Sequence, residues 1–177
     1  MKETAYIWKN GEFINWADAT THVLTHALHY GTAVFEGVRA YETPKGPAIF
    51  RAKDHYDRLI DSGKIHQMGC PFTSEELLDA TKELINKNNL TSCYIRPLVY
   101  YGYKEMGLNP RKNPIDVIIA AWEWGTYLGD DGIENGIRCK ISSWNRLDSR
   151  VMLLQVSLQL KVSLSHQSVL IQALVLY

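Results

Sequence analysis

The residues of this sequence best placed to do chemistry are three arginines set among aromatic and glycine residues. The first lies in His26-Ala-Leu-His-Tyr-Gly-Thr-Ala-Val-Phe-Glu-Gly-Val-Arg-Ala-Tyr41. From Ala33 to Tyr41 this stretch reads as a strand, so Phe35, Gly37, Arg39 and Tyr41 share one face, and Val34, Glu36 and Val38 the other. Gly37 leaves a dent between an aromatic and a cation, which marks either the close approach of a ligand or a bulge or crowded strand crossing. The second is Arg96, in Tyr94-Ile-Arg-Pro-Leu-Val-Tyr100, where alternation groups it with Tyr94, Leu98 and Tyr100. A charge among strand aromatics needs a partner: an internal carboxylate, a ligand anion, or water reached from a sheet edge. The third is Arg58, which shares a helix face with His55 at i,i+3. It is either solvated or a bidentate grip on a phosphate, for which the planar guanidinium suits better than lysine. The chemistry these residues point to is the binding of small anionic molecules.

The elements that must carry them are legible in outline. Tyr6-Ile-Trp8 and Glu12-Phe-Ile14 flank Asn10-Gly11, the signal of a two-stranded hairpin. The strand ending at Tyr41 and Pro47-Ala-Ile-Phe50 are joined by Thr43-Pro-Lys-Gly46, a turn. A helix follows from Ala52 to His66, with Tyr56, Leu59, Ile60 and Ile65 at helical spacing. After Pro71, Thr73 stands three before Glu76 in a capping-box pattern, and Leu77, Thr81, Leu84 and Ile85 make one stripe of a second helix ending near Asn88-Asn89. Cys93 to Tyr101 is a strand, and Val117 to Trp122 is apolar on both faces, as in a strand covered on each side. The glycine-punctuated stretch from Trp124 to Gly132 reads as a domain connector, and Ile137 to Ser142 as a new strand beyond it.

A chain of 177 residues with 46% hydrophobic content can bury one respectable core, or one small domain plus part of another. Its 19 basic and 19 acidic residues cancel and form no blocks, which argues against nucleic acid and anionic membranes as partners. Cys70, Cys93 and Cys139 are odd in number and far apart, giving neither a disulfide framework nor a metal spacing. The N-terminus has no apolar targeting region, and no apolar run approaches the ~18 residues a membrane span needs. These features lead us to expect a soluble cytoplasmic protein without a bound metal.

Tyr30-Gly31 followed by Val34-Phe-Glu-Gly-Val-Arg-Ala-Tyr41 resembles the substrate-pocket segment of branched-chain amino-acid aminotransferases, fold-type IV enzymes that use pyridoxal 5'-phosphate (PLP). Ser142-Ser-Trp-Asn-Arg146 resembles a second segment of that family, in the same order and spacing. The resemblance covers residues 1 to about 156. It implies an α/β (α+β) small domain over 1–124, a linker over 125–133, and the start of a large PLP domain over 134–156. It also implies that Arg58 binds the PLP phosphate. Arg96, in the family's Tyr-Ile-Arg segment with Tyr94, would hold the distal carboxylate of glutamate. Phe35, Tyr30, Trp124 and Tyr127 would form apolar walls, with Gly37 and Arg39 lining the same side. As plain residues, Trp124 and Tyr127 are equally readable as packing aromatics. In the family Tyr30 reaches the neighbouring subunit's pocket, which implies a homodimer or larger oligomer. The implied reaction moves the amino group of leucine, isoleucine or valine to 2-oxoglutarate, giving glutamate. D-amino-acid aminotransferases and aminodeoxychorismate lyases share the fold and are the alternatives within the enzyme class.

The sequence departs from this pattern at the residue the chemistry needs most. PLP transamination requires an amine that condenses with the cofactor's aldehyde and later shuttles a proton. Thirteen residues after Trp144 the family has that lysine, and this chain has Ser157, whose hydroxyl cannot form an imine. Lys161 is the nearest lysine, but it lacks the family's flanking residues. From Val151 to Tyr177 there is no acidic residue, Gly or Pro, and Leu, Val, Ser and Gln fill 21 of 27 positions. Val156 to Ser165 alternates apolar and polar residues strictly, an aggregation hazard if unpaired. Restoring one nucleotide within the codons of Val156 and Ser157 can spell Val-Lys, which makes 157–177 read as a frameshifted tail. The expectation is an inactive chain with a truncated large domain; the competing class is a noncatalytic fragment or pseudoenzyme.

Overall fold

The computed structural model describes residues 2–125, Gly132 and residues 134–136. The expectations for Tyr127, Cys139, the 137–142 strand, Ser142-Ser-Trp-Asn-Arg146, Ser157, Lys161 and the 157–177 tail fall outside the described residues, as do most of the linker and the 134–156 domain start.

Among the described residues, seven strands form one antiparallel sheet: β1 Tyr6–Lys9, β2 Glu12–Asn15, β3 Ala33–Phe35, β4 Val38–Tyr41, β5 Ala48–Ile49, β6 Cys93–Tyr101 and β7 Ile115–Trp122. Their order is β2-β1-β7-β6-β4-β5, with β3 also paired to β6. Helices α2 (Ala52–Ile65) and α3 (Ser74–Lys87) pack on the sheet, and a short α1 (His26–Tyr30) precedes β3. An all-antiparallel sheet with helices beside it is the α+β arrangement.

The local signals explain the elements. The β1–β2 turn needs positive φ at both central residues, and Asn10 (φ 51°) and Gly11 (φ 99°) supply it. In α3 the Thr73 hydroxyl accepts from the Glu76 N–H while the Glu76 carboxylate accepts from the Thr73 N–H, a complete capping box. The core lies between sheet and helices. Tyr56 and Leu59 of α2, and Leu77, Thr81 and Leu84 of α3, meet Val34, Val38, Ile95, Val99, Val117 and Ile119 of the sheet, all fully buried. The Tyr56 hydroxyl, the one polar atom that ring brings inside, is paired with the Thr81 hydroxyl.

Three expectations are corrected. The Ala33 to Tyr41 strand is split at Glu36 and Gly37. The register is the same on both sides, Phe35 opposite Leu98 and Val38 opposite Ile95, so one strand is interrupted where it faces Pro97, which has no N–H to give. Glu36 still donates its N–H to the Pro97 carbonyl at 3.1 Å. Second, β7 is fully buried on one face only: Val117, Ile119 and Ala121 face the core, while Ile118, Ala120 and Trp122 are half-buried. Helices cover one side of this sheet, and a strand's apolar composition does not reveal what covers the other. Third, Ile65 is 66% exposed, because α2 ends there and its inward stripe runs through Ala52, Tyr56, Leu59 and Gly63.

Candidate anion-binding site

Strand β6 is central, and its alternation turns Cys93, Ile95 and Val99 to the core and Tyr94, Arg96 and Leu98 to the other, half-buried face. Register fixes what stands beside them. Arg39 on β4, Tyr94 on β6 and Trp122 on β7 form one row across three strands. Tyr94 packs against Trp122 (centroids 5.1 Å apart) and edge-on to Trp124 (4.8 Å), and the two tryptophans stack at 5.8 Å. The Arg96 guanidinium lies 4.2 Å from the centre of the Phe35 ring and donates to the Tyr94 hydroxyl at 2.7 Å. Arg39 donates to the Trp124 carbonyl at 2.9 Å and lies over Tyr41.

The electrostatics of this face are unbalanced. Among the described residues, no carboxylate lies within ion-pair distance of Arg39 or Arg96, although ten other ion pairs occur. Among the described residues, the buried Nε atoms of both have no hydrogen-bond partner. Leaving such a donor unmade costs about 1–3 kcal/mol.

The dent at Gly37 is filled from within the chain. A Cβ on Gly37 would stand 2.6 Å from the Tyr94 hydroxyl oxygen, so the glycine admits the phenol that steadies Arg96. The crossing at Gly37 is a crowded one. Sequence reasoning missed Trp122; the signal was its position on the same face of β7 as Ile118 and Ala120.

Arg58 belongs to a second cluster. Its Nε and Nη2 donate to the two oxygens of Glu36 at 2.5 and 2.7 Å, and His55 Nδ1 lies 2.9 Å from the same carboxylate. This pairing pushes the Arg58 guanidinium further up its already basic range. Glu36, missed in the sequence, sits on the opposite side of the strand from Phe35 and Gly37, as alternation requires. Arg58 Nη2 also lies 3.2 Å from His55 Nδ1, so among the described residues it is Nη1 that stands outside these contacts and is open to an anion's oxygens.

Tyr30 does not join these groups. It is 40% exposed at the end of α1 and stacks on the buried His26 ring at 4.5 Å. The adjoining β3 begins opposite Tyr100, six residues along β6 from Tyr94, about 20 Å away. Within this chain the structure therefore brings Phe35, Gly37, Arg39, Tyr94, Arg96 and Trp124 together, and leaves Tyr30 and Arg58 apart. Among the described residues no group of His, Cys, Asp or Glu could hold a metal ion.

The family model for amino-transferase class IV matches residues 33–156, which contain both clusters. The chain belongs to the class IV aminotransferases. This class IV chain is 53% identical over 140 residues to the branched-chain-amino-acid aminotransferase of Pseudomonas aeruginosa, covering 79% of this chain and 46% of that one. It is 52% identical over 146 residues to the Escherichia coli K12 enzyme of the same name, covering 82% and 47%. Among solved structures, a T.th. branched-chain amino acid aminotransferase with pyridoxamine 5'-phosphate superposes with a TM-score of 0.86 at 46% identity, over 96% of this chain and 57% of that one. The Escherichia coli branched-chain amino acid aminotransferase gives 0.83 at 47%, over 89% and 53%. The class IV chain thus spans about half the length of the curated relatives it matches.

Proposed function

We propose that this chain is the substrate-recognising half of a branched-chain amino-acid aminotransferase that moves the amino group of leucine, isoleucine or valine to 2-oxoglutarate. The observation that carries the reading is the pair of buried, unpartnered guanidinium nitrogens on Arg39 and Arg96 beside Phe35, Tyr94, Trp122 and Trp124. One surface then offers apolar contact for a branched side chain and cations for a second carboxylate. These are the two demands of a pocket that must accept both leucine and glutamate. Arg96 meets the carboxylate, Tyr94 holds Arg96 in place, and Arg39 ties the strand to the backbone at Trp124. Tyr127, by resemblance, adds to the wall.

The cofactor of such an enzyme is PLP, which when bound supplies the electron sink for amino-group chemistry. Its phosphate end fits this chain: Arg58 presents an outer edge while its inner edge is already fixed by Glu36. Its aldehyde end does not, since position 157 holds serine where an amine is required. We therefore read the chain as written as inactive. Tyr30, exposed and far from Arg96, suits a role in a neighbouring subunit's pocket, so the assembly is a homodimer or larger. Cys70 and Cys93 are unpaired, in keeping with a reducing cytoplasm, and no helix among the described residues is long and apolar enough to cross a membrane.

The test is glutamate formation from leucine and 2-oxoglutarate with PLP present. The 177-residue chain should give none, and a chain whose frame is restored to place lysine at 157 should turn over. Turnover by the chain as written, or none by the restored one, would overturn the reading.

A further inference from the structure

The Glu36 carboxylate is 1% exposed, while the Arg58 side chain it binds is 59% exposed. This asymmetry is a poor way to gain stability. Burying a carboxylate is costly, and a partner left mostly in water repays little of that cost. An apolar residue of similar volume at position 36 would serve the core of Val34, Val38 and Tyr56 at least as well. The geometry, by contrast, is well suited to orientation. Two oxygens take Nε and Nη2 at 2.5 and 2.7 Å, which fixes the plane of the guanidinium, and His55 closes on the same carboxylate at 2.9 Å. The backbone of Glu36 is itself anchored by its bond to the Pro97 carbonyl.

A flexible arginine would have to lose its rotamer freedom each time it gripped an anion. Arg58 has lost it already. With Nε and Nη2 held by the carboxylate and Nη2 also 3.2 Å from His55 Nδ1, the donors left for an anion are those of Nη1. We propose that Glu36 is a positioning residue that preorganises Arg58 for a phosphate monoester. The inference rests on the assignment of Arg58 to the cofactor's phosphate made above.

The test compares binding of pyridoxamine 5'-phosphate with pyridoxamine to the intact chain, by fluorescence titration, with a thermal melt of each variant. Pyridoxamine 5'-phosphate needs no lysine, so the readout is independent of turnover. The wild-type chain should prefer the phosphorylated form at least tenfold. Arg58→Ala should abolish that preference. Glu36→Gln should reduce it about tenfold with pyridoxamine binding unchanged, and Glu36→Asp should restore part of it. Glu36→Met, which keeps the volume and removes the buried charge, should melt no lower than wild type yet lose the preference as Glu36→Gln does. If Arg58→Ala abolishes the preference while Glu36→Gln and Glu36→Met retain it, Glu36 does not position Arg58 and the proposal fails alone. If Arg58→Ala has no effect, or wild type shows no preference, the assignment of Arg58 to the phosphate fails and takes this proposal with it.

Discussion

The Tyr94 hydroxyl occupies the space that a side chain at Gly37 would need, 2.6 Å from the position of its Cβ. The same hydroxyl receives a hydrogen bond from Arg96, and its ring is held by Trp122 and Trp124. Tyr94 cannot swing aside without giving up these contacts. Gly37→Ala should therefore destabilise the domain by about 1–3 kcal/mol, the usual range for overpacking. It should also detach Arg96 from Tyr94. Urea unfolding measures the first effect, and a loss of 2-oxoglutarate affinity the second; a variant as stable and as tight-binding as wild type would disprove the account.

Arg96 carries opposing terms. Its cation–π contact with Phe35 contributes about 0.5–1 kcal/mol and its charged hydrogen bond to the Tyr94 hydroxyl about 1.5–3 kcal/mol, while its unpartnered Nε costs about 1–3 kcal/mol. The terms nearly cancel, so Arg96→Met should melt within a few degrees of wild type. Titration calorimetry should at the same time find the preference for 2-oxoglutarate over a branched monocarboxylic oxo acid gone. A steep fall in melting temperature, or equal loss of both acids, would make Arg96 a structural residue instead.

Much of this was legible in the sequence, and the parts that were not share a cause. The capping box at Thr73 and the Asn10-Gly11 turn are local, so residue types alone specify them. The strand faces at Arg96 and Arg39 followed from alternation. The partner of Arg58 did not, because Glu36 lies 22 residues away and reaches it only once α2 packs on the sheet. The break at Glu36-Gly37 was hidden for a similar reason, since it is set by Pro97 on another strand. Gly37 was readable as a dent but not as one filled by Tyr94, since that depends on register between β4 and β6.

Acid should act first on the start of α3. Glu76 is held below the usual carboxylate range by its bonds from the Thr73 N–H and hydroxyl, and Asp57 by the Ser74 hydroxyl and then Lys53. A depressed folded-state value contributes stability that is present above the unfolded value, near 4.5 for glutamate, and is lost as pH falls through the lower folded value. The melting temperature of wild type should thus decline below about pH 4.5. Thr73→Ala, costing about 1 kcal/mol at neutral pH, should decline less steeply there. Parallel curves for the two proteins would rule out the Thr73 hydroxyl as the source.

Cys93 is buried on β6, and burial pushes its thiol up to about 11. At pH 8 only about one molecule in a thousand carries the thiolate, the form that reacts. Native protein treated with iodoacetamide should leave Cys93 unmodified by peptide mass while half-buried Cys70 is labelled, and denaturant should expose both. Fast labelling of Cys93 in the folded chain would mean that the β4–β6 face opens readily.

The coding DNA decides how Ser157 arose. The last proline is Pro114, the last glycine Gly136 and the last acidic residue Asp148, and none of the three types occurs from Val151 on, while Ser142-Ser-Trp-Asn-Arg146 just before keeps the family pattern. A 27-residue stretch in which Leu, Val, Ser and Gln fill 21 positions is what a change of frame gives and a folded domain does not need. One nucleotide restored near codon 156 should therefore return Val-Lys and a downstream reading frame with charged, glycine and proline residues. Treating PLP-loaded protein with borohydride gives the matching protein measurement: no stoichiometric adduct on the chain as written, and one adduct at position 157 after restoration. A DNA sequence whose alternative frames stop within a few codons, or a stoichiometric adduct on the present chain, would show that the tail is native and that Ser157 belongs to it.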